Sequence, residues 1–264
     1  MKLCTLYSGS SGNSIFISAG GANILIDAGK NARKLCEALD LIGVSPDSLD
    51  AIFITHEHSD HVSALEVFLK KHPIPVHVSE ASAKKLLSRG LPQIDERLVI
   101  HTPIFTQKIK ELEISSFVTP HDSMGSVGYR LSFEENGARR EIGVATDIGY
   151  VSDSVLGGLE GCESIVVESN HDVEMLKSGP YPYDLKKRIL SKRGHLANED
   201  CALLLSRLCA NGTKNILLAH LSEENNDPEI AYDEACSAIS DPCVRLAVAA
   251  PDRVTKLVWE DGVC

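Results

Sequence analysis

One short segment constrains this chain more than any other. Thr55-His56-Glu57-His58-Ser59-Asp60-His61 places donors at His-x-His-x-Asp-His spacing directly behind the apolar run 50–55. A continuous apolar run of that length reads as a strand covered on both faces. Alternation along an extended chain turns His56 and His58 to the same side. A helix starting just beyond brings Asp60 and His61 round from another direction. Four such side chains can feed two adjacent cations. Mixed imidazole and carboxylate donors suit Zn²⁺, Mn²⁺ or Fe rather than Ca²⁺ or Mg²⁺. A His-rich surface loop is the bland alternative, and the spacing speaks against it.

Further donors close other β-type runs. His121 follows 114–120, Asp147 follows 142–146, Glu168 ends 164–168 and His220 follows 215–219. Any one alone reads as a turn residue. Together they predict one shared rim of a sheet, where sites in layered α/β proteins lie. Patterning predicts strands over 3–7, 14–18, 23–27, 50–55, 76–78, 98–101, 114–119, 126–133, 140–145, 164–168, 214–220, 244–249 and 254–259. Helices are expected over 32–41, 62–70, 81–88, 183–191, 198–210 (capped by Asn198) and 228–239. No Pro/Ser linker divides the 264 residues, so a single domain over 1–264 is expected.

No apolar run is long enough to cross a bilayer, and the N-terminal stretch turns polar at Ser8 before a signal-peptide core can form. The expectation is a cytoplasmic protein with no membrane partner. The eight cysteines include no Cys-x-x-Cys pair, and burial as small apolar residues is the plain reading. A net charge of −11 argues against nucleic-acid binding over the whole surface, but not against a local basic groove. Some of that charge is carboxylate awaiting cations.

Three segments bear on the substrate. The run from Ser8 to Ser14, with Ser10, Ser11, Gly12 and Asn13 at its centre, is either a hairpin loop or a cradle of amides and hydroxyls for a phosphate. Glu168 and His195 either cap a helix or form an acid pair, the carboxylate keeping the imidazole protonated for a leaving oxygen. Lys186, Lys187, Arg188, Lys192 and Arg193 are either a solvated helix face or the contact surface for a polyanion. His171 is a weaker substrate-contact candidate, while His72, His77 and His101 read as ordinary.

Asp27, the His56-x-His58-x-Asp60-His61 run, His121, Asp147 and His220 occur in the order of the metallo-β-lactamase superfamily motifs, which the chain resembles over nearly its whole length. The resemblance implies an α/β fold, a four-layer αβ/βα sandwich of two mixed sheets flanked by helices, holding two divalent metal ions (Zn²⁺ or Mn²⁺). It implies His56, His58 and His121 on one metal, Asp60, His61 and His220 on the other, Asp147 bridging, and Asp27 orienting the ligands. Gly179-Pro-Tyr-Pro182, Gly194-His-Leu-Ala-Asn198 and His220-Leu-Ser-Glu-Glu-Asn225 further resemble the bacterial YycJ (WalJ) nuclease branch. That branch implies a two-metal phosphodiester hydrolase acting on DNA from the 5′ end and linked to DNA repair. A metal-bridging hydroxide would attack, Asp60 orient it, and Glu168 with His195 protonate the leaving group. Ser10, Ser11, Gly12, Asn13, Lys187, Arg188 and Arg193 are the candidate substrate contacts. The same metal set also serves thioester, lactone and cyclic-phosphodiester hydrolases. A metal-binding scaffold is a third reading, which the complete donor set disfavours.

Overall fold

The computed structural model describes residues 1–259. One sheet holds β1 (Lys2–Tyr7), β2 (Ser14–Ala19), β3 (Ala22–Ile26), β4 (Ala51–Phe53), β5 (Val76–Ser79) and β6 (Leu98–His101). The other holds β7 (Thr106–Ile109), β8 (Leu112–Val118), β9 (Val127–Glu135), β10 (Ala138–Ala145), β11 (Ser164–Glu168), β12 (Asn215–Ala219) and β13 (Arg245–Val248). A last strand, β14 (Thr255–Trp259), returns to pair with β1, giving two seven-stranded sheets. Each sheet is mixed. β1 to β3 and β7 to β10 are antiparallel meanders, whereas β3 to β6 and β10 to β13 run parallel.

The layering follows from the period of two in the strands. Leu3, Ile15, Ile17, Ile24 and Ile26 face Tyr129, Leu131, Ile142, Val144 and Val166 in the core between the sheets. Their neighbours Cys4, Phe16 and Leu25 point the other way, into an outer core. Helices α1 (Ala32–Leu41), α2 (Ser59–Val62), α3 (Leu65–Lys71), α4 (Glu80–Leu87) and α5 (Pro92–Asp95) contribute to that outer core. On the far side, Ile165, Val167, Ile216 and Leu218 meet apolar residues of α6 (Asp153–Leu159), α9 (Asn198–Ala210) and α10 (Pro228–Ala238). Between these lie α7 (Val173–Ser178) and α8 (Tyr183–Ile189). The expected αβ/βα sandwich is what forms. Seven cysteines are unpaired thiols, and Cys264 lies outside the described residues.

Three local expectations need correction. The helix expected over 62–70 starts at Ser59 and is broken into α2 and α3, so Asp60 and His61 lie inside its first turn. The strand expected over 50–55 is shorter, because the chain leaves the ladder after Phe53 to present the His run. Asn198 does not cap α9; Ala197 holds that position without a side-chain bond. The Asn198 side chain turns inward instead, accepting from Ser169 Oγ at 2.7 Å and pairing with Asn226. It joins three loops beneath the site, so its hydrogen bonds are spent on tertiary contacts.

Candidate metal centre

Parallel strands deliver their C-terminal ends to one rim, and the predicted donors sit there. Asp27 follows β3, the His run follows β4, His121 follows β8, Asp147 follows β10 and His220 follows β12. Asp27, Asp147 and His220 all have left-handed backbones, with φ of 63°, 56° and 58°. Outside glycine that region costs roughly 1–2 kcal/mol, and it recurs at functional sites where the surroundings enforce it. Here it turns each side chain sharply off its strand and into the space between the sheets. Tyr129 Oη donates to Ile54 O at 2.6 Å and Val127 N to Thr55 O at 3.1 Å, tying the second sheet to the segment that carries the His run.

Four overlapping groups of donor atoms lie close enough to hold a cation: His56, His58 and His121; Asp60, His61 and His220; His56, His61 and Asp147; and Asp147, Glu168, His195 and His220. Asp147 appears in two of them and approaches both sides. Its Oδ2 is 3.3 Å from His61 Nε2, and its Oδ1 is 3.5 Å from His220 Nε2 and 3.8 Å from His121 Nε2. His56 Nε2 lies 3.0 Å from His58 Nδ1.

The outward ring nitrogens are anchored. His61 Nδ1 lies 2.7 Å from Asp27 Oδ2, His121 Nδ1 3.1 Å from Gly194 O and His220 Nδ1 2.9 Å from Glu168 Oε1. Asp27 also accepts from Thr55 N and Thr55 Oγ1, each at 2.8 Å, and Thr55 Oγ1 lies 3.1 Å from His56 Nδ1. Each anchor fixes one ring's orientation and leaves an Nε2 lone pair facing inward, as metal-ligating imidazoles require. Thr55 is thus a structural partner of two imidazoles that sequence reasoning left unassigned, although it opens the motif.

The electrostatics point the same way. Burial alone would lower the His61 pKa, but Asp27, Asp147 and Asp60 outweigh it and raise it well above the ordinary value. His220 is likewise disfavoured as a cation by burial yet pushed up to about 10 by Asp147, Asp60 and Glu168. Burial and the neighbouring imidazoles His61, His121 and His58 drive His56 well below its usual value. So much buried carboxylate calls for positive charge, from protons or from cations that displace them. Asp147 Oδ2 and His220 Nε2 are buried without a hydrogen-bond partner, a costly state unless those lone pairs have another use. The donor chemistry and these two orphaned atoms fit divalent cations.

Glu168 is buried at 0 % exposure and makes four contacts. Oε1 receives His195 Nδ1 at 2.8 Å and His220 Nδ1 at 2.9 Å; Oε2 accepts from Ile148 N at 2.7 Å and Leu196 N at 3.2 Å. Burial would raise its pKa, but His195 and His220 hold it well below the usual carboxylate range. The predicted Glu168–His195 contact is present, and Glu168 has a second charge in His220. The His195 ring stacks on that of His220, with centroids 5.1 Å apart.

The remaining candidates separate. Asn13 is turned inward, its Nδ2 3.1 Å from both Asp60 Oδ2 and His61 Nε2. Its backbone N donates to Asp60 O and its carbonyl accepts from Gly29 N, each at 2.8 Å. Gly29 is required at that crossing, because a Cβ would stand 2.0 Å from Asp60 O. Ser8 Oγ accepts from His220 N at 2.7 Å and Ser14 Oγ donates to Asp27 O at 2.9 Å. The Gly/Ser loop therefore clasps the donor set from behind. Gly12 is buried, Ser10 and Ser11 are exposed, and Lys30 Nζ donates to Ser11 Oγ at 2.5 Å.

Lys187, Arg188 and Arg193 are exposed, but Arg188 forks onto Asp122 and Arg193 Nε donates to His121 O at 3.3 Å. His171 is buried at 1 % exposure. Glu57, also unassigned from sequence, accepts from Ser82 Oγ at 2.7 Å and Met124 N at 2.9 Å. It pins the loop beyond His121 to the motif.

Sandwich and rim together define a metal-dependent hydrolase class, and residues 7–138 match the family model described as the metallo-beta-lactamase superfamily. The chain belongs to that superfamily. It is 36 % identical over 267 residues, 97 % of each chain, to the exodeoxyribonuclease WalJ of Streptococcus pneumoniae serotype 2 (strain D39). It is also 36 % identical over 88 % of its length, and 86 % of the relative's, to the exodeoxyribonuclease YycJ of Bacillus anthracis. The metallo-beta-lactamase fold protein YhfI from Bacillus subtilis superposes with a TM-score of 0.70 at 15 % identity, covering 97 % of this chain and 100 % of that one.

Proposed function

We propose that the protein is an exodeoxyribonuclease that hydrolyses phosphodiesters from the 5′ end of DNA with the help of two divalent cations, Zn²⁺ or Mn²⁺. The observation that carries the reaction class is the Glu168–His195 contact, at 2.8 Å, set against the donor cluster. A thioester, whose thiolate leaves unprotonated, needs only the donor set. A proton donor held separately beside it suits a poor alkoxide leaving group. The identity to two exodeoxyribonucleases over most of the chain supports DNA as the substrate.

His56, His58 and His121 would hold one cation and Asp60, His61 and His220 the other, with Asp147 shared. Bound there, divalent ions supply an acidified water and positive charge beside the phosphoryl oxygens. The chain's own residues do the rest. Glu168 fixes the Nδ1 proton of His195, leaving Nε2 to donate to the departing 3′ oxygen, a contribution of roughly 10²- to 10⁴-fold in such positions. Asp60 would orient the attacking water. Asp27, Thr55 and Asn13 keep the donors in register, and the exposed basic residues after Pro182 face the strand's phosphates. Seven unpaired cysteines suit a reducing cytoplasm. Among the described residues no helix is long and apolar enough to cross a membrane.

The test is a gel assay on end-labelled duplexes bearing 5′-phosphate or 5′-hydroxyl, across Mn²⁺, Zn²⁺ and Mg²⁺. Stepwise loss from the 5′ end is expected, abolished by His58→Ala and Asp147→Asn and slowed by His195→Ala. Inert DNA together with turnover of a thioester or lactone would replace this reading with the small-molecule one.

A further inference from the structure

Arg188 is the cation of α8 that reaches the centre. Its guanidinium meets Asp122 through two bonds, Nε to Oδ2 and Nη2 to Oδ1, the latter at 3.1 Å. Asp122 in turn follows candidate ligand His121, and its Oδ1 lies 3.3 Å from His121 Nε2. Arg188 is also within electrostatic reach of Asp60 and Asp147. The pair is not sealed in: the side chains are 51 % and 26 % exposed. An arginine fork of this shape accepts carboxylate and phosphate in the same two-point geometry. A carboxylate at the mouth of a site for a polyanion is otherwise a liability, since it repels the ligand.

Resting on the phosphodiester reading above, we infer that Asp122 is an internal stand-in for a substrate phosphate, occupying the Arg188 fork beside His121 until a DNA phosphate displaces it. Asp122 thus acts on specificity. A ligand without an anionic group of matching shape cannot open the pair, and a phosphodiester can. The exchange is one salt bridge for another and needs no change in fold. Glu57 supports it by holding Met124 N at 2.9 Å, which anchors the loop from the other end while Asp122 swings free.

The experiment is a double-mutant cycle on binding, read by fluorescence anisotropy with a 5′-phosphorylated oligonucleotide across a salt series. Asp122→Asn should tighten binding about two- to fivefold, the range expected for release of one partly exposed ion pair. It should also steepen the salt dependence by up to about 0.9 in log–log slope on duplex. Arg188→Ala should weaken binding, and in that background Asp122→Asn should gain nothing. Asp122→Ser serves as a second variant, and thermal melts report folding of all four. Unchanged or weaker binding by both Asp122 variants overturns the inference, as does a gain that persists without Arg188, which would be general charge relief. A wild-type protein that binds no DNA at any salt refutes the phosphodiester reading and this inference with it; wild-type binding with inert Asp122 variants refutes the inference alone.

Discussion

Replacing Glu168 by glutamine changes almost no volume and should disable two functions at once. Oε2 accepts from Ile148 N and Leu196 N, so the amide oxygen must occupy that corner. The amide NH₂ then faces His195 Nδ1 and His220 Nδ1, both of which now contact Oε1. Each ring must accept there, which moves its proton to Nε2. Two hydrogen bonds to a charged acceptor, each worth roughly 1.5–3 kcal/mol, are lost together. His220 with a protonated Nε2 cannot bind a cation, and losing such an orienting partner typically costs 10- to 100-fold in metal affinity. His195 loses the carboxylate that holds its Nδ1 proton and orients the ring, and with it roughly 10²- to 10⁴-fold in rate. The assay pairs competitive chelator titration with single-turnover cleavage at saturating metal. His195→Ala should lose rate alone and keep metal. The double variant at saturating metal should be about as slow as His195→Ala, because the two residues act as a unit. A Glu168→Gln protein within about threefold of wild type in both measurements refutes the reasoning, and so does full multiplication of the two rate losses.

Three further outcomes are expected. Asp27→Asn keeps a side chain tolerated at positive φ but replaces an acceptor of three bonds, so metal affinity should fall 10- to 100-fold by chelator titration, with melting little changed in the metal-free protein. Asn198→Ala should cost about 1–3 kcal/mol in urea unfolding by stranding Ser169 and Asn226; a loss of a few tenths would contradict the tertiary role. His77 stacks on Phe53 at 4.4 Å and lies 2.9 Å from His101 Nε2, and burial followed by the His101 charge lowers its pKa from 6.5 to about 4. Since the folded state resists protonation, its contribution is complete above pH about 6.5 and is lost as pH falls toward 4, a change of up to about 3 kcal/mol. Urea unfolding of His77→Phe against pH should show that much less acid sensitivity than wild type, and parallel curves would contradict it.

The donor set was legible because its members are announced locally: each closes a β-type run, and runs that end on one rim bring their last residues together whatever the loops do. The layer architecture was implied by the resemblance those donors carry; the alternation of Leu3 with Cys4 and Ile24 with Leu25 between two cores leaves no mark in the sequence, because both faces are apolar. What escaped depends on distant partners. Asn198 looks like a cap in any sequence window, and only Ser169 and Asn226 reveal its use. The Gly/Ser loop reads as either a hairpin or a phosphate cradle, and only Asn13 against Asp60 and His61 reveals its hold on the donors. Helix α6 was hidden by Gly157 and Gly158, poor helix formers. The second is dictated by Phe117, whose ring would stand 2.3 Å from a Cβ there. Strand β7, Thr-Gln-Lys-Ile at a sheet edge, carries too little apolar pattern to announce itself. Arg188 reads in the sequence as a substrate contact or part of a solvated helix face, and nothing there ties it to Asp122.

Crystals grown with Mn²⁺ or Zn²⁺ and measured at the metal's absorption edge offer the most direct check. Two anomalous peaks roughly 3.5–4 Å apart are predicted, one against His56, His58 and His121, the other against Asp60, His61 and His220, with Asp147 touching both. A lone peak, or density that leaves Asp147 or His220 uncoordinated, would contradict the paired-cation centre.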